Sequence, residues 1–343
     1  AYGRLADDIE NEVDIDSRLY YAYLEKKDFL IEDLDFRFGR QFISTTAGAS
    51  LMDGVNFDYT FNDNYHATIY GGGDVTYYEG YTVDANGIWG VEVGGFFLEG
   101  ALDTNLSYLQ KWEDGVLGME LIGFDASYDW NGKLWVYNET QWDYLSDRLS
   151  YELVGAKYRF DQPFTLRLEY LYSLPVFSST SIYSVFAVED YEEILVEGTW
   201  MVQPGIQTFA RYWREIYDEY DDANVFEVGI EKLRTGKFSG YVSGIVRQDD
   251  DGQDMNGVKV RAGYLFMPQF EAGVGAEVDV MEREIAFYDT DDPDQDDTTN
   301  TRVWVYGTYD FTDKISLEGK FERIESDLWD YYNRGRVRLN LLF

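Results

Sequence analysis

The chain has no cysteine and very little histidine or proline: its 343 residues include one His, five Pro and no Cys. Without cysteine, disulfide frameworks, thiolate metal sites and cysteine nucleophiles are excluded. Lipase-type and protease-type barrels use a histidine base, and His66 has no Gly-x-Ser-x-Gly elbow to act on. We therefore expect no enzymatic activity and interpret His66 as a polar filler of the interior.

Long apolar runs are also missing, and the mean hydropathy is −0.39. The longest uncharged stretch, Tyr170–Val188, could cross a bilayer as a helix, but it contains Pro175 and six Ser or Thr residues. A helical membrane protein is therefore disfavoured. Only helices and closed barrels satisfy every backbone polar group in lipid, so a membrane protein with this sequence would be a barrel.

Aromatic residues and acidic charge are abundant. Aromatic side chains make up 18% of the chain, and 65 Asp and Glu against 28 Lys and Arg give a net charge of −37. A disordered acidic chain would be poor in aromatic residues because it has no core to fill. The composition therefore predicts a folded protein.

Alternation of apolar and polar residues recurs along nearly the whole chain, in segments of about nine to twelve residues, which is the length of a tilted membrane-spanning strand. In Phe270–Val280 every even position is apolar, and the odd positions hold only Glu, Gly and Asp. The same period of two is found in residues 34–38, 55–61, 164–170, 302–311, 315–322 and 335–343.

The connections between these segments differ in length. Short turns are predicted at residues 62–64, 131–132, 161–163, 203–205, 234–236, 267–269 and 312–313, and longer, often acidic loops at 217–222, 248–254, 289–297 and 324–334. Short periplasmic turns and longer extracellular loops are typical of outer-membrane barrels. We predict an all-β, transmembrane, antiparallel up-and-down β-barrel of about twenty strands, within a range of about 16–22.

The direction of the strands follows if the chain ends in the periplasm. The segment Arg18–Leu24 then runs inward, so that Ala1–Ala6 is the remnant of a truncated outgoing strand. Residues 1–343 are taken as a single barrel domain. No signal peptide is present at Ala1, and we interpret the sequence as a processed or trimmed chain.

Two stretches resemble known families. The terminal segment Gly335–Phe343, with Val337, Leu339, Leu341 and Phe343 in one row, is similar to the last strand of Gram-negative outer-membrane barrels. This resemblance implies recognition by the barrel-assembly machinery. Leu34–Gln41 followed by Met52–Val55 looks like a hairpin of large alginate-export-like porins and of porins from metal-reducing bacteria.

The strand phase assigns charged residues of both signs to the lumen. The basic residues come from strands near the two ends of the chain and face acidic ones across a predicted water-filled pore. The alternative interpretation is that these charges pair across strands and fill the interior. The basic set is Arg37, Lys259, Arg261, Arg302, Arg336 and Arg338, and the acidic set is Glu169, Glu227, Glu231, Glu271, Glu277, Asp279, Glu318 and Glu322.

The acidic runs at 217–222, 249–254 and 289–297 have two interpretations. They form solvated external loops beside lipopolysaccharide, or a vestibule that attracts cations or a basic partner. The run Asp289–Asp297 lacks the central glycine of an EF-hand, so we predict no metal site and no cofactor. Likewise Tyr170–Val188 is either a loop folded into the pore or an extension of a strand above the membrane.

Two functions of different classes fit these sequence features. The first is an outer-membrane porin for passive diffusion of small hydrophilic solutes or ions. The second is a barrel sleeve around a multihaem cytochrome of an electron-transfer conduit; the chain has no haem-binding motif of its own, so any haem would belong to the partner. An exporter of alginate-like polyanions would need a more basic lumen. Expected partners are outer-membrane lipid, lipopolysaccharide and possible further copies of the chain, but no nucleic acid.

Overall fold

The computed structural model describes residues 2–4, 18–75, 86–161, 163–177, 189–218, 221–249, 254–282, 297–327 and 329–341. Nearly all of these residues are in β-strands: nineteen strands have nine or more residues, and one has three. A single turn of 3-10 helix, Leu98–Gly100, connects two of the strands. No helix among the described residues is long and apolar enough to cross a membrane.

The chain divides into two compact units. The first is formed by Ala1–Ala156 and Tyr170–Tyr191, and the second by Lys157–Glu169 and Glu192–Phe343. The prediction of one domain over residues 1–343 stays a prediction. The strands numbered β1 to β10 are Tyr2–Arg4, Arg18–Lys26, Leu34–Thr45, Gly48–Phe61, Tyr65–Asp74, Gly87–Phe97, Leu102–Glu113, Val116–Trp130, Leu134–Asp143 and Arg148–Arg159. The strands β11 to β20 are Phe164–Ser173, Tyr191–Gln203, Ile206–Tyr217, Ala223–Lys232, Phe238–Asp249, Met255–Met267, Phe270–Glu282, Asp297–Thr312, Ile315–Ser326 and Trp329–Leu341.

Within each unit, consecutive strands pair antiparallel. In the first unit the pairs run from β1–β2 to β8–β9, and in the second from β13–β14 to β19–β20. The seven predicted short turns all lie between consecutive strands. The predicted up-and-down all-β class and the strand number are confirmed. The strand expected before Arg18 is present as β1.

One predicted loop is wrong. Residues 324–334 belong mostly to β19 and β20, where Ile324 lies opposite Tyr332 and Glu322 opposite Arg334. The charged sequence of this stretch has no apolar alternation, yet the strands continue because their backbones and charged side chains still pair. The acidic run 289–297 lies outside the described residues except for Asp297, the first residue of β18.

The uncharged stretch 170–188 is described only in part. Its first residues, Tyr170–Ser173, complete β11, and residues 178–188 lie outside the described part of the chain. Between them, Val176 packs against a buried apolar cluster of the first unit. The described part of this stretch is thus a strand end followed by a segment that packs on this cluster, and the two interpretations of the whole stretch stay predictions.

The two faces of the strands are exposed in the way that the alternation predicts. In β18, Val303 and Val305 are each 48% exposed, whereas Trp304 between them is 8% exposed. A soluble sheet protein buries its aliphatic face, so this pattern is inverted. The other exposed apolar residues of β16 to β20 include Val258, Phe266, Val274, Val278, Phe311, Phe321, Val337 and Leu339.

Aromatic rings are concentrated where strands meet the short turns. Tyr59, Phe61 and Tyr65 stack around the turn at 62–64, with ring centroids 5.5–5.8 Å apart. In the second unit Phe266 stacks on Phe270 at 5.5 Å, across the turn at 268–269. Aromatic rings at a membrane–water interface typically form such a girdle.

Candidate functional site

The six predicted basic residues all lie on strands, and four of them make ion pairs. Arg37 contacts Glu25 at 3.2 Å, Lys259 contacts Glu277 at 2.9 Å, and Arg338 approaches Glu318 to 3.8 Å. Arg302 contacts Glu322 at 2.6 Å. The two others differ: Arg261 donates to the hydroxyl of Tyr306, and Arg336 lies opposite Lys320 in the β19–β20 pair.

The predicted acidic residues are mostly partnered as well. Glu169 contacts Arg167 at 3.3 Å, Glu227 contacts Arg211 at 3.1 Å, and Glu231 accepts a hydrogen bond from Gln207 at 2.7 Å. The remaining contacts are Glu271 with Arg234, and Lys259 with Glu277 as above. Asp279 lies opposite Gly257 on β16.

Glu322 is the most enclosed of these carboxylates. Its side chain is 2% exposed and is contacted by Arg302, Lys320 and Arg334, the last with Nε at 2.6 Å. Charges of opposite sign are therefore interleaved on β16 to β20. The expected separation into one basic and one acidic wall does not describe this part of the second unit.

A chain of ion pairs in the second unit is not predicted from the sequence. Glu197 of β12 lies between Arg167, whose guanidinium is 3.3 Å away, and Arg211, which also contacts it; Arg211 in turn contacts Glu227. Strand phase alone places Arg167 and Glu169 on one face, but the partners on β12 and β13 become apparent only from the register. These linked ion pairs connect the four neighbouring strands β11 to β14.

The first unit contains a second feature that is not predicted from the sequence. The tip of the β3–β4 hairpin, Thr45–Gly48, folds over the polar face of the strands that follow. Ala47 is 0% exposed, and it packs with side chains from β5 to β8. The cluster that this fold completes is Ile43, Ala47, Met52, Tyr70, Ile88, Leu109 and Leu121, with Met119 and Val176 against it.

Hydrogen bonds fix the hairpin tip. The amide of Ala47 donates to Ser107 Oγ at 2.6 Å, and Gln141 Nε2 donates to the carbonyl oxygen of Ala47 at 2.9 Å. The hydroxyl of Thr46 contacts Asp125. These partners lie on β7, β8 and β9, so the tip crosses the polar face of the strands between. A signal for this contact exists in the sequence: Leu109 and Leu121 are apolar residues in the polar phase of their strands.

A cavity of about 400 Å³ lies beside the hairpin tip in the first unit. Gly48, Lys111 and Gln141 contribute to its walls, together with Val176 from the segment after β11. A second cavity, of about 370 Å³, lies on the polar face of β15 to β20. Basic and aromatic side chains line this second cavity, in contrast to the acidic balance of the whole chain.

His66 and the assembly residues complete the predicted set. The Nε2 atom of His66 lies 3.9 Å from Glu92. Val337, Leu339 and Leu341 are exposed on one face of β20, and Phe343 lies outside the described residues. Within the described ranges, no group of three or more His, Asp or Glu side chains could hold a metal ion.

No family model and no curated protein matches this chain. Solved structures of Pseudomonas aeruginosa proteins do match. OccK3 (OpdO) is 11% identical with a TM-score of 0.54 over 90% of this chain and 93% of that chain. OccK8 (OprE) is 11% identical with a TM-score of 0.53 over 86% and 93%, and OccK10 (OpdN) is 10% identical with 0.52 over 88% and 96%.

These neighbours are outer-membrane β-barrel porins. At such identities the similarity concerns the fold. The chain therefore has a porin-like, antiparallel up-and-down fold, which confirms the predicted fold class.

Proposed function

We propose that the chain is an outer-membrane channel through which small hydrophilic solutes and ions diffuse passively. The division of the strand faces is the observation that supports this most directly. Val303 and Val305 are exposed on one face, while Arg302 and Glu322 pair on the other. In a sheet that closes on itself, the first face meets lipid and the second surrounds water. Closure of the sheet is part of the proposal.

The hairpin tip Thr45–Gly48 narrows the channel in this proposal. It covers Leu109 and Leu121 on the polar face of the first unit, where apolar residues would otherwise face water. Charged pairs such as Lys259–Glu277 stay partly exposed on the polar face of the second unit. Solutes would therefore pass along charged side chains while the apolar cluster stays covered.

The same proposal includes the partners. Lipid surrounds the apolar face, lipopolysaccharide borders the acidic loops, and the barrel-assembly machinery reads the row Val337, Leu339, Leu341 and Phe343. Assembly into homo-oligomers is compatible with this arrangement.

Reconstitution of the purified chain into planar bilayers tests the channel. We expect stepwise ion conductance from folded protein and none after the same sample is heat-denatured. A folded sample that inserts without conductance would contradict a channel. The alternative, a sleeve around a multihaem cytochrome, predicts that native purification yields a haem-absorbing partner and that this partner blocks conductance.

A further inference from the structure

The cavity on the polar face of β15 to β20 is lined by Trp304 and Tyr306, whose rings lie over two glycines of β17. Gly273 lies opposite Tyr306, and Gly275 lies opposite Trp304, in the β17–β18 pair. A β-carbon at position 273 would lie 2.5 Å from the Tyr306 ring, and one at 275 would lie 2.1 Å from the Trp304 ring. Both rings therefore lie down on the backbone of β17, in contacts that only glycine permits.

The two rings hold cationic groups in place. The guanidinium of Arg261 lies 4.7 Å from the centroid of Tyr306. That of Arg302 lies 5.4 Å from the centroid of Trp304, and the Lys320 ammonium lies 5.6 Å from it. Cation–π contacts of this kind fix the heads of long, flexible side chains. The cations are thus positioned before any ligand arrives.

Positive charge predominates in the lining. Five cationic side chains line the cavity together with two carboxylates, those of Glu277 and Glu318. A third carboxylate, Glu322, lies beneath Arg302 and Lys320. The five cations of the lining are Lys259, Arg261, Arg302, Lys320 and Arg336.

Arg261 and Arg336 differ from the other three cations of the lining, which contact carboxylates. Among the described residues neither makes an ion pair, and Arg261 is held by the neutral hydroxyl of Tyr306 at 2.9 Å. Arg336 lies directly opposite Lys320. Like charges in directly opposed positions destabilise a sheet. Lys320 is compensated by Glu322, so Arg336 is the member of the pair whose charge a bound anion would neutralise.

We infer that this cavity binds a small oxyanion, that is, a soluble solute with a phosphate or carboxylate group. The inference rests on the proposed channel and names the chemistry of one solute class. The five cations of the lining surround the oxyanion, and a planar guanidinium such as that of Arg261 suits two oxygens at once. The cavity volume of about 370 Å³ lies in the range of about 300–1,000 Å³ that is common for small-molecule sites.

Calorimetric titration of the detergent-solubilised full chain with sodium phosphate tests this site. The reference titration uses sodium chloride at equal ionic strength, so that screening cancels. We expect saturable binding of phosphate and none of chloride. Equal heats from both salts would overturn the proposal.

The double variant Arg261→Gln with Arg336→Gln should weaken phosphate binding by at least about tenfold, because each side chain donates charge-assisted hydrogen bonds. The matched control is Arg214→Gln with Arg323→Gln, which removes equal charge from two arginines that pair with Asp222 and Glu325 and do not line the cavity. The control should bind as the parent does. Equal weakening of phosphate binding in both double variants would show that only the net charge of the protein matters, and would overturn the site.

Folding is monitored by heat-dependent migration in gels. If the glutamine variant does not fold, the variant with Lys at both positions, which keeps the charge, replaces it. Its binding should stay within about tenfold of the parent, because point charge is kept and only the planar fork is lost. Complete loss in a folded Lys variant would overturn the proposal.

The proposed channel and the proposed anion site can be refuted independently of each other. Conductance without phosphate binding would overturn the site and leave the channel. Phosphate binding without conductance would support the site and contradict the channel.

Discussion

Gly123 lies directly beneath Ala47: a β-carbon at position 123 would be 2.2 Å from the amide nitrogen of Ala47. The close approach brings the tip of the β3–β4 hairpin onto β8. It also brings the Ala47 amide to Ser107 at 2.6 Å. A strand glycine thus determines where a distant hairpin docks.

Replacing Gly123 with Val should displace the hairpin tip, with a loss of about 1–3 kcal/mol in the free energy of unfolding, since no space exists for the side chain. The chain has no cysteine, so a single Ala47→Cys reports the displacement. We expect slow thiol labelling in that variant and fast labelling when Gly123→Val is added. Gly335→Val is the control, because a β-carbon there meets nothing within 4 Å; fast labelling in the control would contradict the docking.

Charge on the apolar face should be costly. Val305→Lys and Val278→Arg each place a cation where lipid is expected, at a cost of about 2–4 kcal/mol at mid-membrane depth. The measurement is reversible urea unfolding in lipid vesicles. Thr308→Lys on the polar face of the same strand is the control, because its neighbours Glu271 and Glu318 accept a cation. Equal tolerance on both faces would refute the assigned phase.

Removing the buried carboxylate of Glu322 should destabilise the second unit. Glu322→Gln leaves Arg302, Lys320 and Arg334 without their shared partner. We expect a loss of about 2–3 kcal/mol, which is less than for a wholly buried pair because the cations keep contact with water. The control is Glu318→Gln, because the Glu318 side chain is 37% exposed and lies 3.8 Å from Arg338. In this variant the free energy of unfolding should fall by only about 0–1 kcal/mol. Similar losses in both variants would argue against a special role of Glu322.

Neutralising polar-face arginines should alter ion selectivity and leave assembly intact. In Arg261→Gln or Arg338→Gln the local anion concentration falls, so the permeability ratio of potassium to chloride should rise. The reversal potential in a potassium chloride gradient measures that ratio. An unchanged reversal potential in both variants, with normal conductance, would place these residues outside the ion path.

Alternation predicts β17 and β18 well because lipid and water act on every second side chain. It fails at residues 324–334, where charged residues such as Glu325 and Arg334 interrupt the apolar row and pair with Arg323 and Glu322 outside the stretch. There the strands are held by backbone pairing and ion pairs, which leave no period-two hydrophobic pattern. The same reason limits the prediction of loops near the strand ends.

Strand phase also places Lys259 and Glu277 correctly on one face, and the register then pairs them. It cannot predict that the β3–β4 tip covers Leu109 and Leu121, because a hairpin folding over other strands is a tertiary contact between distant segments. Nor does it single out Trp304, whose position depends on Gly275 in the next strand. The local sequence thus determines which face of the sheet a side chain lies on. It does not determine which distant segment packs on that face.

The glycines beneath Trp304 and Tyr306 have a consequence for the width of the proposed passage. Because both rings lie against the backbone at Gly273 and Gly275, the wall is thin at that height. A larger residue at either glycine would tilt a ring toward the axis of the proposed channel and narrow it. The charged side chains along the wall would be unchanged. In such a protein, the size limit for a solute and the electrical preference for it can be changed independently.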